Sequence, residues 1–150
     1  MSRPRNMMLR VLPFVALPAL VLAMTTAATG QQPGTSTARG VYTETQAVEG
    51  AELYKAACAM CHGENLMGTF EIPTLTGRFV GNWSNGSVGA LFTYVSDAMP
   101  QMAPGSLSAE DNAKIVAYLL KANGMPAGAQ PLPADSAALN RISFEPVRAR

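Results

Sequence analysis

Two cysteines and one histidine fall within five residues, Cys58-Ala59-Met60-Cys61-His62, and they are all the cysteine and histidine that this 150-residue chain possesses. Thiols separated by two residues and followed at once by an imidazole fit one helical turn and the corner that ends it. Sulfurs so placed can reach the two vinyl groups of a porphyrin while the imidazole swings under the metal, which is why C-x-x-C-H reads as a c-type haem attachment site. Other readings leave more unexplained. A thioredoxin-like pair wants a βαβ setting, whereas this sequence shows helices and a loop. A structural zinc site wants four ligands, and only two cysteines and one histidine are on offer. A plain disulfide, the default for two cysteines in an oxidising compartment, leaves His62 without a role.

The compartment itself is written at the start of the chain. Arg3, Arg5 and Arg10 precede an apolar run over residues 11–24, interrupted by Pro13 and Pro18, and a small-residue stretch over residues 25–30 follows. That order predicts a Sec-type signal peptide over residues 1–30, cut near Ala28 or Gly30, and hence a periplasmic protein. The run is shorter than the about 20 apolar residues of a spanning helix. An uncleaved N-terminal anchor is the alternative, and the only membrane attachment foreseen, because no second hydrophobic span follows. Without those three arginines, eight basic residues face ten acidic ones, a net charge of −2; over residues 41–125 four face eight, or −4. Nucleic-acid binding, which needs a basic footprint, is disfavoured.

With 48% apolar residues, a chain of this length suits one domain once its signal is removed. Residues 31–42, rich in Gln, Gly, Ser and Thr, read as a flexible leader, with order beginning near Val41. Residues 43–125 are the expected folded domain. From Thr45, Val48, Ala51, Tyr54, Ala57 and Cys58 recur at helical spacing, predicting a first helix that runs into Cys61. Residues 63–86 show single large apolar side chains and no period, which predicts a long loop packed on something, and a cofactor would supply the partner. Ser87 caps a second helix with Val88, Leu91, Phe92 and Val95 on one face, ended by Met99-Pro100. Ser108-Ala-Glu-Asp111 opens a third, with Ile115, Val116, Leu119 and Leu120 inward and Gly124 as its stop. Residues 126–150, with Pro126, Pro131, Pro133 and Pro146, read as an extended Pro/Ala-rich tail with one short helical turn near residues 135–139. The class predicted is all-α: three main helices and a long loop around one covalently bound haem.

Since His62 is the only histidine, a second axial iron ligand from this chain has to be of another type, and methionine is the natural one. Met60 sits inside the attachment turn and Met67 follows His62 too closely to cross to the other face of the ring. Met99, at a helix end before proline, is the first candidate and Met102, in the same turn, the second; both also read as gap-filling core methionines. Trp83 is a candidate for donating its indole N–H to a haem propionate and Arg78 for neutralising one, with plain packing as the alternative for each. Gly50, Tyr54 and Tyr118 suit a close helix crossing. Leu75, Phe92, Leu107 and Leu119 are the expected apolar cover.

These residues together resemble a class I cytochrome c, and in particular the small cytochromes associated with quinoprotein (PQQ) dehydrogenases. The resemblance rests on Gly50-x-x-x-Tyr54-x-x-x-Cys58-x-x-Cys61-His62-Gly63, on Pro73-x-Leu75-x-Gly77, on Met99-Pro100 with Pro104-Gly105-Ser106-Leu107-Ser108, and on Ala117-Tyr118-Leu119-Leu120 with Asn123-Gly124. It covers residues 49–128, with a fainter echo over 132–144. It implies the class I cytochrome c fold, heme c with its iron, a Pro73 carbonyl that accepts a hydrogen bond from His62, and haem buried except at one edge. Thr74, Thr76 and Glu71 depart from the family's more apolar segment. Function follows as an expectation: a monohaem electron carrier of a respiratory chain, working by outer-sphere transfer, not an enzyme. The resemblance implies redox protein partners, a quinoprotein dehydrogenase as donor and a terminal oxidase or another cytochrome as acceptor. A haem enzyme or sensor with an open or labile distal iron site is the alternative.

Overall fold

Ser36, Thr43, Ser87, Ser108 and Asp135 each stand one residue before a helical segment and accept a hydrogen bond from a backbone N–H of its first turn. Such caps satisfy donors that a helix start otherwise leaves unpaired, and they fix where each helix begins. The computed structural model describes residues 35–146. A 3-10 turn (Thr37–Arg39) and six α-helices occur there: α1 (Glu44–Ala57), α2 (Ala59–His62), α3 (Arg78–Trp83), α4 (Val88–Ala98), α5 (Ala109–Ala122) and α6 (Ser136–Leu139). Strands β1 (Thr35–Ser36) and β2 (Ile142–Ser143) pair in parallel and are the only strands among the described residues. The class is all-α, as the sequence predicts. The signal segment expected over residues 1–30 lies outside the described residues.

The main crossing is between α1 and α5, and a glycine permits it. A Cβ on Gly50 would stand 1.9 Å from the Lys114 carbonyl oxygen, so only hydrogen lets the two backbones come this close. Beside it Tyr54 and Tyr118 pack with ring centroids 5.2 Å apart and planes tilted by 49°. Glu49 pairs with Lys114 at 3.0 Å, and Glu44 with Lys121, at the rim of the same crossing. The predicted inward residues Ile115, Val116, Leu119 and Leu120 of α5 are all buried, as are Val88, Leu91, Phe92 and Val95 of α4.

Three features differ from the sequence reading. The first helix does not run into Cys61: Cys58 leaves helical geometry (φ −120°) and a separate turn, α2, follows. Residues 63–86 are not all loop, because Phe79, Asn82 and Trp83 at helical spacing form one side of α3. The described parts of the leader (residues 35–42) and of the tail (residues 126–146) are packed rather than loose. Thr37 Oγ1 donates to the Glu145 carbonyl at 2.7 Å and accepts from the Glu145 N–H at 2.9 Å. Gln46 reads the tail backbone like a strand, donating to the Leu132 carbonyl and accepting from the Leu132 N–H. Leu132, Leu139, Ile142 and Phe144 thereby reach the core, all buried. Single side chains spaced without a period do this, so no repeat in the sequence announces it.

Candidate haem site

The attachment turn is built from backbone bonds. Cys58 N–H donates to the Tyr54 carbonyl at 2.8 Å, and the Cys58 carbonyl accepts from Cys61 N–H at 3.1 Å and His62 N–H at 3.0 Å. Both thiols and the imidazole therefore sit on one turn, closed by Gly63 at φ 76°. Tyr54 returns to hold that turn, its hydroxyl donating to the Gly63 carbonyl at 2.7 Å. Burial, with the charge of Cys61 adding to it, pushes the Cys58 thiol up to about 11. That direction is opposite to the depressed values, about 3.5–7.5, of reactive thiols. Among the described residues no three His, Cys, Asp or Glu side chains gather as a metal cage.

The imidazole is oriented from the loop. His62 Nδ1 lies 3.0 Å from the Pro73 carbonyl oxygen. A carbonyl can only accept, so Nδ1 carries the hydrogen and Nε2 keeps its lone pair free. A metal-ligating histidine has this arrangement, in which the outer hydrogen bond sets ring angle and basicity. The loop is firm because its backbone closes on itself: Leu75 N–H donates to the Leu66 carbonyl at 2.8 Å and the Thr74 hydroxyl to the same oxygen at 3.1 Å. Gly68 passes so near that a Cβ there would lie 2.1 Å from the Ile72 carbonyl oxygen. Thr74 and Thr76, unusual in sequence, bond to each other and to this backbone.

Cys58, Cys61, His62, Pro73 and Met99 line a single cleft of about 390 Å³. Leu75, Phe79, Leu91, Val95, Ile115 and Leu119 form much of its wall. A mostly apolar cleft of this volume with a few convergent polar groups is of cofactor size. Attachment thiols, a histidine with a free Nε2 and a thioether on one wall fit haem c. Met99 is half-buried in the cleft, while Met102 is 79% exposed and does not line it. Met60 and Met67 are exposed, and Met125 is buried where its carbonyl takes the Tyr42 hydroxyl. Trp83 lines the cleft between Phe79 and Tyr94, its ring 6.4 and 5.7 Å from theirs.

Arg78 is exposed and outside the lining, because α3 turns Phe79, Asn82 and Trp83 inward and its first residue outward. Of the expected apolar cover, Leu75 and Leu119 line the cleft and Phe92 and Leu107 do not. The phase of α4 explains the first exchange: Leu91, Tyr94 and Val95 face the cleft and Phe92 faces the core. Tyr94, Asn82, Ile115 and Leu91 were not singled out for this site from sequence, although the spacing of Leu91, Tyr94 and Val95 on a helix ending at Met99 carried the signal.

The family model described as cytochrome C oxidase, cbb3-type, subunit III matches residues 45–119. The chain belongs to this family and is a c-type cytochrome, an electron carrier holding haem c covalently with its iron. Among solved structures, the chain is similar to the sulfane dehydrogenase SoxCD from Paracoccus pantotrophus, at 23% identity over 89% of this chain and 67% of that one, with a TM-score of 0.48. No curated protein matches it.

Proposed function

We propose that the mature chain is a periplasmic carrier of single electrons that takes them from a dehydrogenase, with a quinoprotein as the donor class its sequence resembles, and passes them to a terminal oxidase or another cytochrome. Residues 1–30 direct its export. Cys58 and Cys61 would hold the porphyrin through thioethers, and His62 Nε2 and the Met99 sulfur would bind its iron. The observation supporting this is the His62–Pro73 hydrogen bond in a cleft that Met99 also lines. Bound haem supplies a one-electron iron couple there. Pro73 keeps the imidazole in one orientation, and Leu75, Leu91, Val95, Ile115 and Leu119 exclude water from the cleft. A methionine ligand together with a histidine would favour the reduced state. With His62 and Met99 both holding the iron, the chemistry supplied would be outer-sphere transfer without a bound substrate.

Partners dock on an apolar rim. Met60, Phe70 and Met102 are exposed, and each is the chain neighbour of a cleft-lining residue, Cys61, Glu71 and Gln101 respectively. Redox encounters of this kind are small and transient, below about 1,200 Å².

Maturation with competent haem-attachment machinery, followed by a pyridine haemochrome assay, tests the cofactor attachment; a colourless product with the mass of the bare polypeptide contradicts it. In the oxidised protein a long-wavelength methionine-to-iron charge-transfer band is expected. Met99→Ala abolishes that band and opens the protein to rapid cyanide binding, whereas Met102→Ala leaves both unchanged. High-spin spectra and fast cyanide or CO uptake in the unsubstituted protein would replace the carrier with an enzyme or sensor.

A further inference from the structure

The hydrogen bond that orients His62 comes from a loop, and loops move unless something rigid holds them. The Asn123 side chain, at the C-cap of α5, reaches that loop. Its Nδ2 donates to the Leu75 carbonyl at 2.9 Å and to the Leu119 carbonyl at 2.8 Å. Both partners are obligate acceptors, so the amide must turn its NH₂ end toward them. Leu75 and Leu119 each line the haem cleft, one from the loop and one from α5. The Leu75 residue is consequently gripped on both sides, its N–H by Leu66 and its carbonyl by Asn123. Pro73 is two residues upstream, and the Thr74 between them is itself tied to the Leu66 carbonyl.

We infer that Asn123 is a positioning residue for the His62 side of the haem site, fastening the Pro73–Leu75 segment to α5 and so fixing the carbonyl that orients and polarises the imidazole. This rests on His62 being an axial ligand, as proposed above. Among the described residues Asn123 is the side chain whose hydrogen bond joins this segment to α5. A hydrogen bond weakens steeply with misalignment, so freeing the Leu75 carbonyl loosens the Pro73 contact as well. A less polarised imidazole is a poorer donor to the oxidised metal, and the reduction potential rises. Losing an outer partner of a ligating histidine typically costs roughly 10- to 100-fold in metal affinity or activity. If the oxidised form alone bears the lower figure, the oxidised-to-reduced equilibrium moves about tenfold, about 59 mV for a one-electron couple.

The test uses the haem-loaded full chain. Asn123→Ser removes the reach to Leu75, Asn123→Asp sets a carboxylate against two carbonyls, and Leu139→Ala, at a buried site on α6 outside the cleft, is the control for lost stability alone. Expected are a raised potential in Asn123→Ser, which adds no charge, and, by proton NMR of the reduced protein, at least tenfold faster solvent exchange of the His62 Nδ1 proton in both Asn123 variants. Leu139→Ala lowers the melting temperature and moves neither quantity. Asn123→Ser suffices if the Asp variant does not fold. Parent-like potential and exchange in Asn123→Ser, with melting lowered as in the control, would make Asn123 merely structural and overturn the inference alone. A parent protein that binds no haem overturns the reading of the site and this inference with it.

Discussion

A methyl group on Gly50 has no room, because the atom it meets is a backbone oxygen of α5 and not the end of a flexible side chain. Gly50→Ala must push α1 and α5 apart, and overpacking of this kind costs about 1–3 kcal/mol, read as a lowered midpoint in urea. Two buried tyrosines make stability depend on alkaline pH. Burial, aided by Glu44, raises the Tyr42 hydroxyl above its ordinary 10.0, and burial chiefly pushes Tyr54 up to about 12. Above pH 10.0 the unfolded chain gives up these protons while the folded one keeps them, so stability, fully present below that pH, falls progressively toward about pH 12. Tyr42→Phe and Tyr54→Phe should each flatten this fall in urea titrations repeated across that range. At this scale the sequence was most legible where chemistry dictates spacing. Cys58, Cys61 and His62 share a turn because two residues separate the thiols. Pro73 was reached only through resemblance, and Asn123 carries no local signal, since a single asparagine after a helix reads as a cap and its second partner lies forty-eight residues away.

Helices with strong period and a cap were readable to within a residue or so, α4 and α5 from Ser87 and Ser108 onward. The failures have one cause, which is that short elements held by tertiary contacts show no period of their own. α3 owes its place to Phe79, packed against Trp83 on one side and Phe144 on the other. β1 and β2 are two residues each and exist through Thr37, Ser36 and Glu145. Phe144→Ala should therefore cost about 3–5 kcal/mol, the range for emptying a buried aromatic site. Because Phe79 lines the cleft, the same change should also disturb the Trp83 fluorescence maximum, whereas Ser108→Ala, which removes only a cap, should cost about 1 kcal/mol and leave it unmoved.

Over the described residues 35–146 the molecule is acidic, with six basic against ten acidic residues. Electron exchange with a small cationic reagent should be fast at low salt and slow as salt rises, and with an anionic reagent the trend should reverse; stopped-flow rates across an ionic-strength series check both. Among the described residues no helix is long and apolar enough to cross a membrane. The parallel pairing of β1 with β2 joins the first described residues to nearly the last. A polypeptide that emerges N-terminus first exposes its attachment cysteines well before Phe144 arrives to back the wall of the cleft. The site is thus assembled in an order, with the residues proposed to anchor the prosthetic group emerging early and Phe144, the rear support of the cleft-lining Phe79, arriving last.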